Sequence, residues 1–277
     1  ISLIYTDTDG SSQTLGSIQF RDGVTGTFAG GIGTQAAPYL IATAQQFLNI
    51  ADDMEACYRL VKDIDLGGVE IDPMGYSLNT VDSEVYTEFD GLLDGDGFTL
   101  SNLKVSGQSH SGIFGKIGSY GMVKDLNVKE VTADVSISEA KTSTSTFTGG
   151  IIAGTNNGVI YGCSIEDCEL TVNSNTNNAD AERTVYLKYG GITGANNGKL
   201  TLVMAKDSTV DVSSTHDFAG ASTSGNKNFV YAGGICGTCP GTLSYVGVDE
   251  NVQVKAYAKS ILNPKSTVKP YVTAHAG

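Results

Sequence analysis

Gly150-Ile-Ile-Ala-Gly154-Thr-Asn-Asn-Gly158 returns as Gly190-Gly-Ile-Thr-Gly194-Ala-Asn-Asn-Gly198 and again as Gly233-Gly-Ile-Cys-Gly237-Thr-Cys-Pro-Gly241. The copies lie roughly forty residues apart, and a looser one begins at Ser111-Gly-Ile-Phe-Gly115. Self-similarity at a fixed period of about 20 to 50 residues is the signature of a solenoid, in which each repeat supplies one turn and buries its apolar face on the next. Carrying the alignment past the last glycine yields uniform apolar columns: Val123, Ile160, Leu200 and Leu243; Leu126, Cys163, Val203 and Val246; Val128, Ile165, Ala205 and Val248. An upstream column holds Ile113, Ile152, Ile192 and Ile235. Such columns arise when strands stack about 4.8 Å apart and each side chain packs on its counterpart.

Outward from these columns the same period places everything else. The repeated glycines are expected at corners, with Asn157-Gly158 and Asn197-Gly198 supplying positive φ. After each repeat's second apolar pair the sequence turns rich in Ser, Thr, Asn and Gly, through 138–146, 173–183 and 213–228. These stretches share one phase and are expected as loop insertions on one flank. Upstream, Thr43-Ala-Gln-Gln46 has capping-box spacing and precedes Phe47, Leu48, Ile50 and Ala51, predicting a helix of about three turns that covers the first rung. Asn263-Pro264 and Lys269-Pro270 interrupt any strand pattern near the end, and nothing after Ala256 resembles a cap. Either an irregular cap or a continuation beyond Gly277 is expected there. The chain therefore reads as all-β: a right-handed parallel β-helix (solenoid) with an N-terminal capping α-helix and loop insertions on one flank. It is read as a single domain over 1–277, with leading strands in 1–27, a cap in 28–57 containing a helix at about 43–54, rungs in 58–256 and an irregular tail in 257–277.

Composition agrees. Of 277 residues 35 are Gly and none is Trp, a balance of turn-rich β architecture. The formal charge of -13 repels phosphate backbones and anionic headgroups, which argues against a nucleic-acid partner. No segment approaches the roughly 20 apolar residues of a membrane-spanning helix, so direct membrane insertion is not expected of this stretch. Five cysteines are too few, and odd in number, for a disulfide scaffold.

Phe28-Ala-Gly-Gly-Ile-Gly-Thr34, Pro38-Tyr-Leu-Ile41, Thr43-Ala-Gln-Gln-Phe47, Asp63-Ile-Asp-Leu66, Phe89-Asp-Gly91, Leu93-Asp-Gly-Asp-Gly97 and Leu100-Ser-Asn-Leu103 form an ordered series. The series resembles the opening of bacterial surface β-helix proteins that carry Gly-Leu-x-Gly (GLUG) repeats and are themselves similar to filamentous-haemagglutinin-like adhesins. The later Gly-Gly-Ile-x-Gly copies resemble that repeat, so the likeness covers most of 28–256. It implies a β-helix and a secreted or cell-surface location on a bacterium. It implies no particular activity.

Candidate chemistry is sparse. Asp90, Asp94 and Asp96, set among Gly91, Gly95 and Gly97, resemble a calcium loop but lack the EF-hand ligand series, and a plain rung corner is the simpler reading of them. No cofactor is expected apart from calcium at these weak candidates. Asp63 and Asp65 alternate on a strand without a basic cluster to receive an acidic sugar. His110, His216 and His275 have no metal or triad spacing and are expected at the surface. Cys163, in an apolar column, is expected as a small buried hydrophobe, and Cys236-Gly-Thr-Cys239 as a corner disulfide or two free thiols. Tyr186, Tyr189, Tyr231 and Tyr257 could supply a carbohydrate-stacking platform, although packing at the rung edges explains them more simply. Ligand contacts are expected from the insertions, near Asn173, Arg183, His216 and Asn226. The leading expectation is a non-enzymatic adhesin or stalk segment that contacts a host protein or glycan. The alternatives are a β-helix polysaccharide lyase or glycosidase, and a purely structural spacer.

Overall fold

The computed structural model describes residues 2–6, 12–17, 27–79, 83–107, 110–138, 144–177, 184–218, 227–262 and 271–276. Among these, parallel strands stack into a β-solenoid of about four turns with one short α-helix.

The apolar columns are the registers of the stack. One runs Tyr58, Leu93, Val123, Ile160, Leu200, Leu243, each paired with the next across adjacent parallel strands. Another runs Ile64, Leu100, Val128, Ile165, Ala205, Val248. Between them Leu126, Cys163 and Val203 are buried, and Ile113, Ile152 and Ile192 line the opposite wall. Each buried Val, Leu or Ile contributes roughly 1.5 to 3 kcal/mol, so a thin core repeated along the axis offsets the cost of ordering the chain.

The repeat glycines work differently from the expectation. Gly158 and Gly198 do not have positive φ. A Cβ on Gly158 would collide with the carbonyl of Gly121, one on Gly198 with the carbonyl of Gly158, and one on Gly241 with the carbonyl of Gly198. These glycines are demanded by close approach of successive rungs. The left-handed corner positions fall elsewhere, in two ladders: Asp125, Gly162, Leu202 and Tyr245, then Asn102, Glu130, Asp167 and Asp207. Asp and Asn tolerate that conformation because their short side chains bond locally.

At the front, Thr43 caps a helix over Ala44–Leu48 by accepting from Gln46 N at 3.3 Å, while the Gln46 side chain accepts from Ala42 N at 2.8 Å. The α-helix is shorter than the three turns expected, because a 3-10 turn replaces it over Asn49–Asp52. Two carboxylates at a helix C-terminus oppose its dipole, and the Asn49 side chain is committed to Thr27 O at 3.0 Å. Phe47 and Ile50 are fully buried and join the core.

The flank is where the sequence reading needs the largest correction. Of the segments expected as loop insertions, 144–146, 173–177, 213–218 and 227–228 are strand, while 139–143, 178–183 and 219–226 lie outside the described residues. Asn127–Ile137, Glu169–Asn177, Thr209–Phe218 and Gln253–Leu262 pair in parallel, and Thr144–Gly149, Thr184–Gly190, Lys227–Gly233 and Tyr271–Ala276 form the sheet facing them. Together they make a two-layered flange on the solenoid. The tail over 257–277, expected to be irregular, supplies a strand to each layer, in register with Thr209–Phe218 and Lys227–Gly233. Pro264 and Pro270 lie between those strands, outside the described residues.

The C-terminal end is less covered than the N-terminal one. Leu243 is 41% exposed and Val248 51%, although their column mates one rung earlier, Leu200 and Ala205, are fully buried.

Candidate interaction surface

The flange gives every rung the same inside and outside. Inward positions begin apolar, with Leu170 and Val172 on one strand and Val210 and Val212 on the next. They become polar farther along, at Ser174, Ser214 and His216. Opposite them Asn228 is fully buried, accepts from Ser214 Oγ at 2.9 Å and donates to Lys259 O at 3.2 Å. His216 is therefore an interior residue, which corrects its assignment to the surface. Arg183 and Asn226 lie outside the described residues.

Asn173 does face solvent. Its Oδ1 accepts from Ser213 Oγ at 2.9 Å across the rung boundary, and Lys255 pairs with Asp211 at 3.5 Å beside it. This outer face is a ladder of short polar groups.

The other outer face is aromatic. Tyr186 and Phe229 stack with centroids 4.7 Å apart and planes 4° from parallel, and Tyr231 stacks on His275 at 5.4 Å and 10°. Phe229 lies 6.5 Å from Tyr231, so the two pairs form one strip, and Lys188 Nζ sits 5.9 Å from the Tyr186 ring centre. The strip arises because in-register strands place outward residues of neighbouring rungs directly above one another. Of the four tyrosines considered from sequence, only Tyr186 and Tyr231 reach this strip. Tyr189 is buried inside the flange, and Tyr257 projects from the polar face. Phe229 and His275 went unrecognised, although the forty-odd-residue offset from Tyr186 to Phe229 and from Tyr231 to His275 was available as a signal.

Other candidate residues serve the rungs. Asp94 is buried, with Lys124 Nζ at 2.8 Å and Arg59 Nε at 3.4 Å, and it also accepts from Asp96 N at 3.0 Å. Its negative charge is already matched by two cations. Asp90 accepts from Tyr120 N at 3.1 Å, and Asp96 occupies a left-handed turn position. Among the described residues no three His, Cys, Asp or Glu side chains gather as a metal site. Asp63 and Asp65 also tie turns to the next rung, accepting from Thr99 N at 2.8 Å and from Asn102 Nδ2 at 3.1 Å.

The interior cysteines are poor nucleophiles. Burial pushes the Cys163 thiol up to about 12 and that of Cys168 to about 11. Cys236 and Cys239 form a disulfide in the last described copy of the glycine repeat.

No family model matches the chain. It is 32% identical over 149 residues to a protein of Evansella cellulosilytica provisionally named a Gly-rich membrane protein, an alignment covering 50% of this chain and 16% of that protein. It is 31% identical over 144 residues to halomucin of Haloquadratum walsbyi, covering 47% of this chain and 1% of halomucin. Among solved structures, a Bacteroides ovatus chain provisionally named an immunoglobulin A1 protease aligns over 92% of this chain and 88% of its own, at 16% identity and a TM-score of 0.39. The chain thus spans a small part of the curated relatives it matches, and each of those is a far longer protein.

Proposed function

We propose that this chain is a non-enzymatic module of a bacterial cell-surface or secreted protein, in which the solenoid holds a rigid flange toward a glycan. The observation that carries the reading is the outward strip of Tyr186, Phe229, Tyr231 and His275 across successive strands of the flange. Partly buried aromatics beside hydroxyl and ammonium groups offer apolar surface to sugar C–H groups and donors to sugar oxygens. A surface location is further supported by the names of the two relatives, a Gly-rich membrane protein and halomucin.

The test is a glycan array probed with the whole chain and with a Tyr186→Ser, Phe229→Ser variant. Both side chains point out of the flange, so far-UV circular dichroism should be unchanged while glycan signal falls at least tenfold. Retention of the full signal by a folded double variant would remove the strip from the reading. Release of reducing ends or unsaturated products from the same glycans would replace binding with catalysis.

A further inference from the structure

A second site lies near the front of the solenoid, away from the flange. The turn at Gly30-Gly-Ile-Gly33 folds the chain back on itself, with Ala29 N bonded to Leu40 O at 2.9 Å and Leu40 N to Gly30 O at 2.8 Å. Gly31 makes this possible: its φ is +84°, and a Cβ there would collide with the Pro38 carbonyl. The return brings Phe28 onto Tyr39, centroids 4.4 Å apart and planes 18° from parallel, with Tyr58 beneath both.

The 3-10 turn at Asn49–Asp52 then carries Asp52 and Asp53 to the same place. Asn49 fixes that approach, because its Nδ2 donates to Thr27 O at 3.0 Å while its Oδ1 accepts from Gln45 Nε2 at 3.0 Å. The result is a cleft of about 360 Å³ lined by the Phe28–Tyr39 pair and by both carboxylates, with no basic side chain in its lining among the described residues. Its field reaches the ring layer below. The Tyr58 hydroxyl, which donates to Asp53 O at 2.6 Å, is held well above the usual phenol range by burial first, then by Asp53, Tyr39 and Asp52.

We propose that this cleft binds a primary ammonium on an aliphatic stem, as presented by a lysine side chain of a partner segment. An aromatic face and a carboxylate both attract a cation, an ammonium has three donors to share between two carboxylates, and the stem lies along the rings. The volume suits one such side chain and lies at the small end of ligand pockets. An anion is repelled by the same groups.

The experiment is a 15N–1H titration of the whole chain with Nα-acetyl-lysine methylamide, with its Nε-acetylated form, and with maltose. The lysine compound should give saturable shifts confined to the cleft with a Kd of roughly millimolar order, and the neutral form should give none. Asp52→Asn, at an exposed position, should keep the fold and weaken binding about tenfold when combined with Asp53→Asn. Replacing Tyr39 endangers the cap, so the carboxylate variants carry the test. Equal binding of the charged and acetylated compounds, unchanged affinity in the folded double variant, or maltose shifting the cleft where the lysine compound does not would each overturn the proposal.

Discussion

Leu200 and Leu243 occupy the same register column one rung apart, which makes truncation of each to alanine a direct test of what the stack contributes. Leu200 pairs with Ile160 on one side and Leu243 on the other and is fully buried. Its loss should cost the transfer free energy of the removed atoms plus a term for the cavity, about 3 kcal/mol. Leu243 pairs with Leu200 only among the described residues and is 41% exposed. Water can occupy the space its side chain vacates, so the cavity term vanishes and about half of the transfer term remains, roughly 1 kcal/mol. Urea unfolding followed by far-UV circular dichroism measures both, and hydrogen exchange on the Thr242–Ser244 strand should detect fraying of the last rung before global unfolding. If Leu243→Ala costs as much as Leu200→Ala, the column is not the gradient of burial described above.

Three further outcomes follow from local chemistry. At pH 8 about one Cys163 thiol in ten thousand and one Cys168 thiol in a thousand is ionised, so an alkylating reagent should label only half-buried Cys57 in the native chain and all three free cysteines in urea. Leu202 has φ of +56° and is 48% exposed, so Leu202→Gly should raise stability by about 0.5 to 1 kcal/mol, measured as a higher urea midpoint at constant m. The Lys124 ammonium is held above its ordinary value of 10.5, chiefly by its hydrogen bond to Asp94. A raised folded-state value means that this stabilisation is complete below the unfolded-state value and is lost as pH rises through the folded one. A thermal melt series should therefore show a decline above about pH 10.5 that Lys124→Met reduces.

The rod was legible because its code is redundant. A position such as Ile160 is apolar, its neighbours one period away are apolar, and glycines recur at a fixed offset, so any one copy can be corrected by the others. The mechanism of those glycines was not legible. Asn-Gly signals a turn in a local reading, and only the packed structure shows that the carbonyl of the preceding rung occupies the place of the missing Cβ. The helix length was not legible for a non-local reason, since Asn49 bonds to Thr27 far upstream in the sequence. The candidate surface is half legible: Tyr186 and Tyr231 stand out in the sequence, but their alignment depends on a flange whose strands run on into the Ser/Thr/Asn-rich stretches read as insertions.

That misreading has a physical cause, and the cause bears on function. In Val210-Asp-Val-Ser-Ser-Thr-His216 the inward residues are Val210, Val212, Ser214 and His216, so apolar alternation stops after two positions although the strand continues to Phe218. Asn228 on the facing sheet closes this polar layer with its bonds to Ser214 and to Lys259 O. The Ser214–Asn228 hydrogen bond favours one register as well as filling the interior, because a one-residue slip would leave both buried groups without that partner. Register is what the outer strip needs. Tyr186 lies over Phe229 only while Val185 remains opposite Asn228, so the polar interior and the aromatic exterior of the flange are two consequences of one pairing. Asn228→Val should expose this coupling. It preserves strand propensity but removes the Ser214 and Lys259 contacts, and it should loosen the Tyr186–Phe229 stack, seen as a loss of near-UV dichroism. A variant that keeps the aromatic signal unchanged while losing stability would separate the two and show that the strip is aligned by backbone pairing alone.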